Sequence, residues 1–260
     1  MLASLGSALA DLVLPSGCAG CGADRVPLRF GVCVSCVTAL EALDPHPAVP
    51  VPPPPGMPSC VAVGAYRGAL RGVLLAYKEK GRHRLARPLG ALLAGAVARV
   101  ARDPCRPVLV VPVPSTARAA RERHGDHMAR LSTHAVRRLR AAGWHAEVVQ
   151  PLRASPRPDS ASLDAAERAA VADTSLRIRA SGMRVLHRQR TMRRTLVVVD
   201  DIVTTGATLA AVTSRLREAN VQVTGAAVLA ATQLRKAGRG MPEGPRDRGV
   251  RHQSGSPNEG

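Results

Sequence analysis

The chain has 260 residues, enough for one full domain with a small appendage, and a formal net charge of +18. Arginine supplies nearly all of the positive charge, a bias typical of GC-rich coding sequences, so the charge alone does not establish a nucleic-acid partner. The few aromatic residues argue against a single-strand groove lined by stacking platforms, and no uncharged apolar stretch reaches the 18 or so residues of a membrane span.

The first 45 residues are predicted to form a short helix followed by a small cysteine-rich unit. Leucines at positions 2, 5, 12 and 14 suit a helix, and the segment lacks the basic residues that open a signal peptide. We therefore expect a cytoplasmic protein. In that compartment thiols stay reduced, and clustered cysteines bind metal more often than they form disulfides.

Four cysteines of this segment form two C-x-x-C pairs separated by eleven residues: Cys18, Cys21, Cys33 and Cys36. Two such pairs can surround one tetrahedral Zn²⁺ with four thiolates and leave no open position. The zinc would then be structural and would contribute directly to folding. Unligated thiols and a doubled redox pair are the alternatives. Cys60 and Cys105, near the starts of predicted strands, are interpreted as small core residues.

A proline-rich stretch over residues 46–58 is the clearest domain boundary, because repeated proline removes backbone donors and favours extended backbone. The sequence thus predicts four parts. They are a helix plus zinc ribbon over 1–45, a linker over 46–58, a folded domain over 59–232 and a disordered basic tail over 233–260. The tail has too few apolar residues to form a core.

Strands and helices alternate through the predicted domain. Apolar runs predict strands over residues 60–66, 106–114, 145–152, 195–201 and 221–232. Helical periodicity predicts helices over residues 69–81, from Pro88 onward, over about 117–142 and after residue 208, and Asp164 and Glu167 have the spacing of a capping box. This alternation predicts an α/β fold whose parallel sheet carries helices on both faces.

The stretch TLVVVDDIVTTGATL, residues 195–209, carries the clearest chemical signal. Its apolar strand would bring Asp200 and Asp201 to the carboxyl edge of the sheet, where ligands bind in α/β folds. The loop that follows opens a helix, and free N–H groups at a helix start favour an anion. The residues of this predicted phosphate loop are Thr204, Thr205, Gly206, Ala207 and Thr208. Carboxylates beside a phosphate-binding loop suit a ribose 5-phosphate, which offers hydroxyls as well as a phosphate. The alternative is a strand-to-helix turn in which the Asp and Thr residues only cap the helix.

The segment VVVDDIVTTGATL resembles the phosphoribosyl pyrophosphate (PRPP) motif of type I phosphoribosyltransferases. The resemblance implies a parallel-sheet type I phosphoribosyltransferase fold. It also implies binding of PRPP, or a related ribose phosphate, by the two aspartates and the loop together with Mg²⁺. Any reaction would displace pyrophosphate from C1′ of the ribose.

Further segments are similar to the ComF family (ComFC and GntX-like proteins), over about residues 10–232. They are the four-cysteine ribbon, YKEKG, VLVVPVPSTARAARERHGDH and RPDSASLDAAER. This resemblance implies that Lys78 and the turn at residues 112–115 face the pyrophosphate, and that Arg121, Arg123 and Gly125 belong to a flexible segment over the site. It also implies a role in DNA uptake during natural competence, with single-stranded DNA or a competence helicase as partner.

Two functions stay open from the sequence. One is a phosphoribosyltransferase with an unidentified acceptor, and the other is a non-catalytic module that senses PRPP or a nucleotide, or that binds DNA or a helicase. In phosphoribosyltransferases that act on 6-oxopurines, a carboxylate stands where this chain has Thr204, and a threonine cannot exchange the proton. The segment RHGDH also lacks the Phe and Asn common in the ComF family. Both observations favour the non-catalytic module.

Overall fold

The computed structural model describes residues 17–116, 120–121, 125–155, 176–188 and 194–232. Within them the strands are β1 (Leu28–Arg29), β2 (Val32–Cys33), β3 (His46–Pro47), β4 (Cys60–Ala65), β5 (Val108–Pro112), β6 (Ala146–Val148), β7 (Leu152–Ala154), β8 (Leu176–Ile178), β9 (Thr195–Val203) and β10 (Gly225–Ala231). The α-helices are α1 (Val34–Glu41), α2 (Gly68–Glu79), α3 (Ala86–Ala101), α4 (His127–Ala141), α5 (Ala180–Arg188) and α6 (Ala207–Glu218), and a 3₁₀ turn (His83–Leu85) joins α2 to α3. The predicted N-terminal helix, the capping-box spacing at Asp164 and Glu167, and the tail over 233–260 lie outside the described residues.

The central sheet has six strands in the order β3-β4-β10-β9-β5-β6. Only β3 runs antiparallel to its neighbour; the other pairs are parallel. The predicted α/β architecture with a mostly parallel sheet is confirmed. A parallel sheet buried on both faces needs near-continuous apolar strands, and residues 195–199 of β9 are all buried.

Helices cover both faces of the sheet and divide the core into two clusters. On one face α2, α3 and α4 pack against residues such as Val197 and Val199, and the cysteine-bearing hairpin joins the same cluster. On the other face α5 and α6 pack against Leu196 and Val198. Alternate residues of β9 therefore belong to opposite layers, as the two-residue period of a strand requires.

The helix expected over about 117–142 is interrupted, because Ala120 and Arg121 are helical but α4 begins only at His127. Asp126 caps α4, because its Oδ1 accepts hydrogen bonds from the backbone N–H groups of Met128 and Ala129 at 3.0 and 3.1 Å. Gly125 precedes this cap with a φ of +127°, which breaks the helical path before it. Instead of the single strand expected over 145–152, the structure has two strands. They are β6 in the central sheet and β7 in a separate antiparallel pair with β8.

Residues 46–58 lie along the edge of the sheet. His46 and Pro47 pair with β4, and the N–H of Ala48 donates to the carbonyl of Cys60 at 2.8 Å. Further on, Met57 reaches the start of α6. This segment therefore contacts both the sheet edge and the loop before α6, while the predicted domain boundaries stay a prediction.

Candidate functional site

The carboxyl ends of β5 and β9 lie side by side, and the region beyond these ends is named the crevice. The chain leaves β5 toward β6 on one side and leaves β9 toward β10 on the other, which is the topological switch point where open α/β sheets bind ligands. β5 stops at Pro112, opposite Val199, whereas β9 continues beside β10 to Val203. Asp200 and Asp201 therefore lie inside β9, in the part of the strand that extends past the end of β5.

Asp201 faces the layer of α2 and α4 and is 6% exposed. Its Oδ2 lies 2.7 Å from Nζ of Lys78, near the end of α2, and 2.9 Å from Nε2 of His127, at the start of α4. Burial alone would raise the pKa of Asp201, but the hydrogen bond from His127 and the positive charge of Lys78 outweigh burial and lower the pKa to about 2. Asp201 is thus an ionised carboxylate held by two partners.

Asp200 points to the opposite layer and has a different charge state. Burial and the negative charge of Asp201 raise the pKa of Asp200 to about 8, although its Oδ1 accepts a hydrogen bond from the Asp201 N–H at 2.8 Å. On the same side, burial and the charge of Asp200 raise the pKa of the Cys60 thiol to about 12. At neutral pH the Asp201 carboxylate is thus ionised, whereas the adjacent Asp200 carboxyl group is largely protonated.

Ser115, on the loop after β5, connects to the same cluster. Its Oγ lies 3.3 Å from Nδ1 of His127 and donates to Oδ1 of Asp126 at 3.3 Å. Tyr77 donates its hydroxyl to the carbonyl of His127 at 2.9 Å, which fixes the first turn of α4 against α2. The Ser115 hydroxyl has the Asp126 carboxylate as an acceptor, so His127 is not its only hydrogen-bond partner. The series Ser115–His127–Asp201 therefore does not form a serine nucleophile paired with a single base.

The predicted phosphate loop lies at the start of α6, a helix of 12 residues. Thr204 and Thr205 are exposed, and Thr205 Oγ1 accepts weakly from the N–H of Ala207 at 3.4 Å. Gly206 adopts a φ of +77°, and a Cβ there would lie 3.1 Å from Cε of Met57. Only glycine fits both conditions without strain, and the free N–H groups of the first turn can receive an anion.

The structure brings most of the predicted binding residues to one end of the sheet. The two aspartates lie in β9, the loop residues Thr204–Thr208 continue from the same strand, and Lys78 reaches Asp201 from α2. Arg121 is exposed and Arg123 lies outside the described residues. His127 was not among the predicted site residues. The sequence feature that could have identified His127 is its position directly after Asp126, a residue type that caps helices, on the connection that follows β5.

The four predicted cysteine ligands are close enough to share one metal ion. Their sulfur atoms lie within 4.8 Å of one another, and the sulfurs of Cys21 and Cys33 are 3.8 Å apart, as two ligands of a tetrahedral zinc about 2.3 Å from each sulfur would be. Backbone N–H groups of Gly20 and Cys33 approach the Cys18 sulfur at 3.4 and 3.2 Å.

The electrostatics of the cluster also suit a cation. Burial alone would raise the pKa of Cys18, but backbone N–H groups lower it to about 6. Burial and the neighbouring thiols raise the pKa of Cys36 well above its usual range. Four thiolates at these separations repel one another unless a cation lies between them, so the donor set fits a metal ion.

Comparison with known proteins assigns part of this region. A model of the phosphoribosyl transferase domain matches residues 174–256, which include β9, the loop and α6. The chain matches no curated protein. The domain match supports a PRPP-binding, phosphoribosyltransferase-like function, and the mostly parallel sheet is consistent with it. Among the described residues, no helix is both long and apolar enough to cross a membrane.

Proposed function

We propose that the crevice between β5 and β9 binds PRPP. The observation that carries this proposal is the ionised Asp201, held between Lys78 and His127, in the strand that leads into a glycine-containing loop at a helix start. Carboxylates accept hydrogen bonds from ribose hydroxyls, and a helix N-terminus favours a phosphate. One ligand that offers both groups within a single sugar is a ribose 5-phosphate.

In the proposed complex, Asp200 and Asp201 take the ribose hydroxyls and the loop residues Thr204–Thr208 take the 5-phosphate. Lys78 and the turn with Ser115 lie on the side of the crevice left for the pyrophosphate, where their donors would offset its charge. Mg²⁺, which suits phosphate sites with few protein ligands, would neutralise part of that charge when bound. In a transfer reaction the bond from C1′ to pyrophosphate breaks as the acceptor bonds to C1′ and gives up its proton.

PRPP binding is tested by calorimetric titration of the full chain with PRPP in the presence of Mg²⁺. We expect the variant Asp200→Asn/Asp201→Asn to bind at least about tenfold more weakly, because the loss of the ionised Asp201 carboxylate removes a charge-assisted hydrogen bond worth about 1.5 to 3 kcal/mol. The matched control is Glu218→Gln, an exposed carboxylate at the far end of α6. Equal affinities for the wild type and the double aspartate variant would reject this binding site.

We further propose a structural zinc ion at the four cysteines, in an arrangement similar to the ComF family. Under this assignment the protein acts in DNA uptake, with single-stranded DNA or a competence helicase as partner, and the support is the resemblance of the ribbon and the PRPP motif. Metal analysis of the purified chain distinguishes zinc from other cations. Salt-dependent binding of single-stranded oligonucleotides tests the nucleic-acid part.

A non-catalytic role is the second candidate, in which PRPP acts as a signal rather than a substrate. Thr204 favours it, since a hydroxyl at the start of the loop cannot act as an acid or base near neutral pH. Release of pyrophosphate, assayed with a panel of amines and nucleobases, separates the two candidates. Turnover that is lost in Asp200→Asn/Asp201→Asn would establish catalysis and reject the sensing role.

A further inference from the structure

Helix α2 contacts both the cysteine cluster and the crevice. Its middle packs against residues 17–36, the cysteine segment, because a Cβ at Gly72 would lie 2.7 Å from the carbonyl oxygen of Ala19. Its last turn carries Lys78, whose Nζ lies 2.7 Å from Oδ2 of Asp201. Three of the four cysteines also share a core cluster with the buried side chains of α2. One helix therefore extends from the cysteine segment to the proposed binding site.

Arg82 fixes the end of this helix to the cysteine segment. Its N–H donates to the carbonyl of Ala76 in α2 at 3.2 Å, and the φ of +63° at Gly81 lets the chain turn back for this contact. Its side chain donates from the two terminal nitrogens to the carbonyls of Gly17 and Gly31, at 2.8 and 3.1 Å. The main chain and the planar guanidinium of one residue thus hold the helix and the cysteine segment together.

The two carbonyls that hold Arg82 belong to the two halves of the cysteine cluster. One directly precedes Cys18, and the other, that of Gly31, lies two residues before Cys33. The Gly31 carbonyl also accepts from the N–H of Ala19 at 2.9 Å, so this oxygen receives donors from the first cysteine pair and from Arg82. The separation of the two carbonyls therefore depends on how closely the two cysteine pairs are held.

A cation at the four cysteines would change that separation. Without one, thiolates whose sulfur atoms lie within 4.8 Å of one another repel, and the two pairs would move apart. The two carbonyls would then no longer converge on one guanidinium, and Arg82 would lose one of its two acceptors. With a metal bound, the thiolates are held together and both contacts can form. The contacts of Arg82 therefore differ between the two states of the cluster.

The end of α2 also fixes the groups of the crevice. Tyr77 donates its hydroxyl to the carbonyl of His127 at 2.9 Å, and the neighbouring Lys78 contacts the buried Asp201. His127 contacts the same Asp201 oxygen from α4. A shift of this helix end would therefore change the distance from Nζ of Lys78 to Asp201. Packed side chains and a helix that has two arrangements can carry coupling between distant sites.

We propose that Arg82 is a positioning residue that couples the metal state of the cysteine cluster to Lys78 in the crevice. Metal at the four cysteines fixes the two carbonyls, Arg82 then holds the end of α2, and α2 places Lys78 against Asp201. Metal and PRPP consequently raise each other's affinity by the same factor, because coupling between binding free energies is reciprocal. This last consequence rests on the proposed function, whereas the coupling to Lys78 does not.

The first test needs no PRPP and measures how fast an N-hydroxysuccinimide ester acylates Lys78 in the full chain, by mass spectrometry. The Lys78 side chain is 21% exposed and paired with Asp201, so a displaced helix end would raise its rate, and the exposed Lys80 is the internal reference. We expect about a fivefold or larger rise after zinc removal and in zinc-loaded Arg82→Gln. Arg71→Gln removes the same charge from an exposed position of α2 and should change the rate less than about twofold.

A matched pair of glycine variants disturbs the same contact without removing a charge. In Gly31→Ala the added methyl would lie 2.6 Å from a terminal nitrogen of Arg82, whereas in Gly22→Ala no atom of the described residues beyond its chain neighbours lies within 4 Å. The two glycines have φ values of +81° and +80°, so the backbone cost of alanine is matched. Acylation of Lys78 should rise in zinc-loaded Gly31→Ala and stay at the wild-type rate in Gly22→Ala.

The second test measures the linkage between zinc and PRPP, with Mg²⁺ present and a chelator selective for zinc as competitor. In the wild type, PRPP should raise zinc affinity by the same factor by which zinc raises PRPP affinity. In Arg82→Gln both ligands should still bind, but this factor should fall towards one. A residue that only stabilised the fold would weaken both affinities and leave the factor unchanged.

Four outcomes would overturn the proposal. Acylation of Lys78 that does not change on zinc removal would show that the cluster and the crevice are uncoupled. Equal rises in Arg82→Gln and Arg71→Gln would assign the effect to charge, and equal rises in the two glycine variants would assign it to backbone strain. An unchanged linkage factor in Arg82→Gln would place the coupling elsewhere. Zinc-loaded wild type that binds no PRPP would instead reject the proposed function, and the acylation rates would then decide the coupling alone.

Discussion

Replacing Asp200 by asparagine is expected to flatten the fall of stability with rising pH. In the folded protein, burial and the charge of Asp201 raise the pKa of Asp200 from 3.8 to about 8. Between these two values the folded state holds a proton that the unfolded state has released. The stabilisation that this proton contributes is therefore fully present below about pH 4 and is lost as the pH rises toward 8. Asparagine resembles the protonated carboxyl group and cannot ionise, so the variant lacks this loss.

The size of the effect follows from the pKa shift. Each pH unit inside the window corresponds to about 1.4 kcal/mol, so ionisation of Asp200 between pH 6 and pH 8 would cost at most about 2.7 kcal/mol. The side chain keeps some exposure to the crevice, and solvent there screens part of the cost. Between pH 6 and pH 8, we expect the free energy of unfolding of the wild type to fall by about 1 to 2 kcal/mol more than that of Asp200→Asn.

Urea unfolding of both proteins at several pH values between 5 and 9 measures this difference. Taking the difference at each pH cancels the titration of histidines and of the cysteine cluster, which both proteins share. Asp44→Asn, a change at an exposed loop carboxylate, serves as the control and should follow the wild type. If the stability curves of Asp200→Asn and the wild type run parallel from pH 5 to 9, the carboxyl group is not held protonated and the reasoning fails.

Two more substitutions test the contacts around the site and the cysteine cluster. Lys78→Met removes one of the two side chains that hold buried Asp201, and we expect a loss of about 1 to 3 kcal/mol of stability at pH 7, measured by urea unfolding, because His127 retains the second contact. No change in stability would mean that His127 alone is sufficient. Gly72→Ala would place a methyl group against the carbonyl of Gly20 and 2.7 Å from that of Ala19, so we expect displacement of the first C-x-x-C pair and weaker metal retention during dialysis against a chelator. Gly95→Ala is the control, because Gly95 also lies inside a helix but its added methyl would make only an ordinary contact, 3.7 Å from Cγ of Pro45; equal metal retention in both variants would refute the clash.

Much of the architecture could be predicted because it depends on local patterns. The valine-rich run of β9 is buried on both faces and needs a parallel neighbour on each side, and the glycine at 206 fits a strand-to-helix turn. The cysteine spacing likewise predicted four sulfurs close together. The start of α4 was missed because helical periodicity continues through residues 117–126, whereas Gly125 and the side chain of Asp126 end that path.

The sequence by itself determined the alternating strands and helices, the cysteine pairs and the acidic strand that leads into a glycine loop, since each rests on interactions within a few residues. Only the tertiary structure decided the charge states of the two aspartates. The packing of α2 and α4 on one face of the sheet brings Lys78 and a histidine 74 positions away in sequence to Asp201. Asp200 points to the other face, where burial and the charge of its neighbour favour the protonated form. Such distant contacts depend on how helices and hairpins pack, which no local pattern specifies.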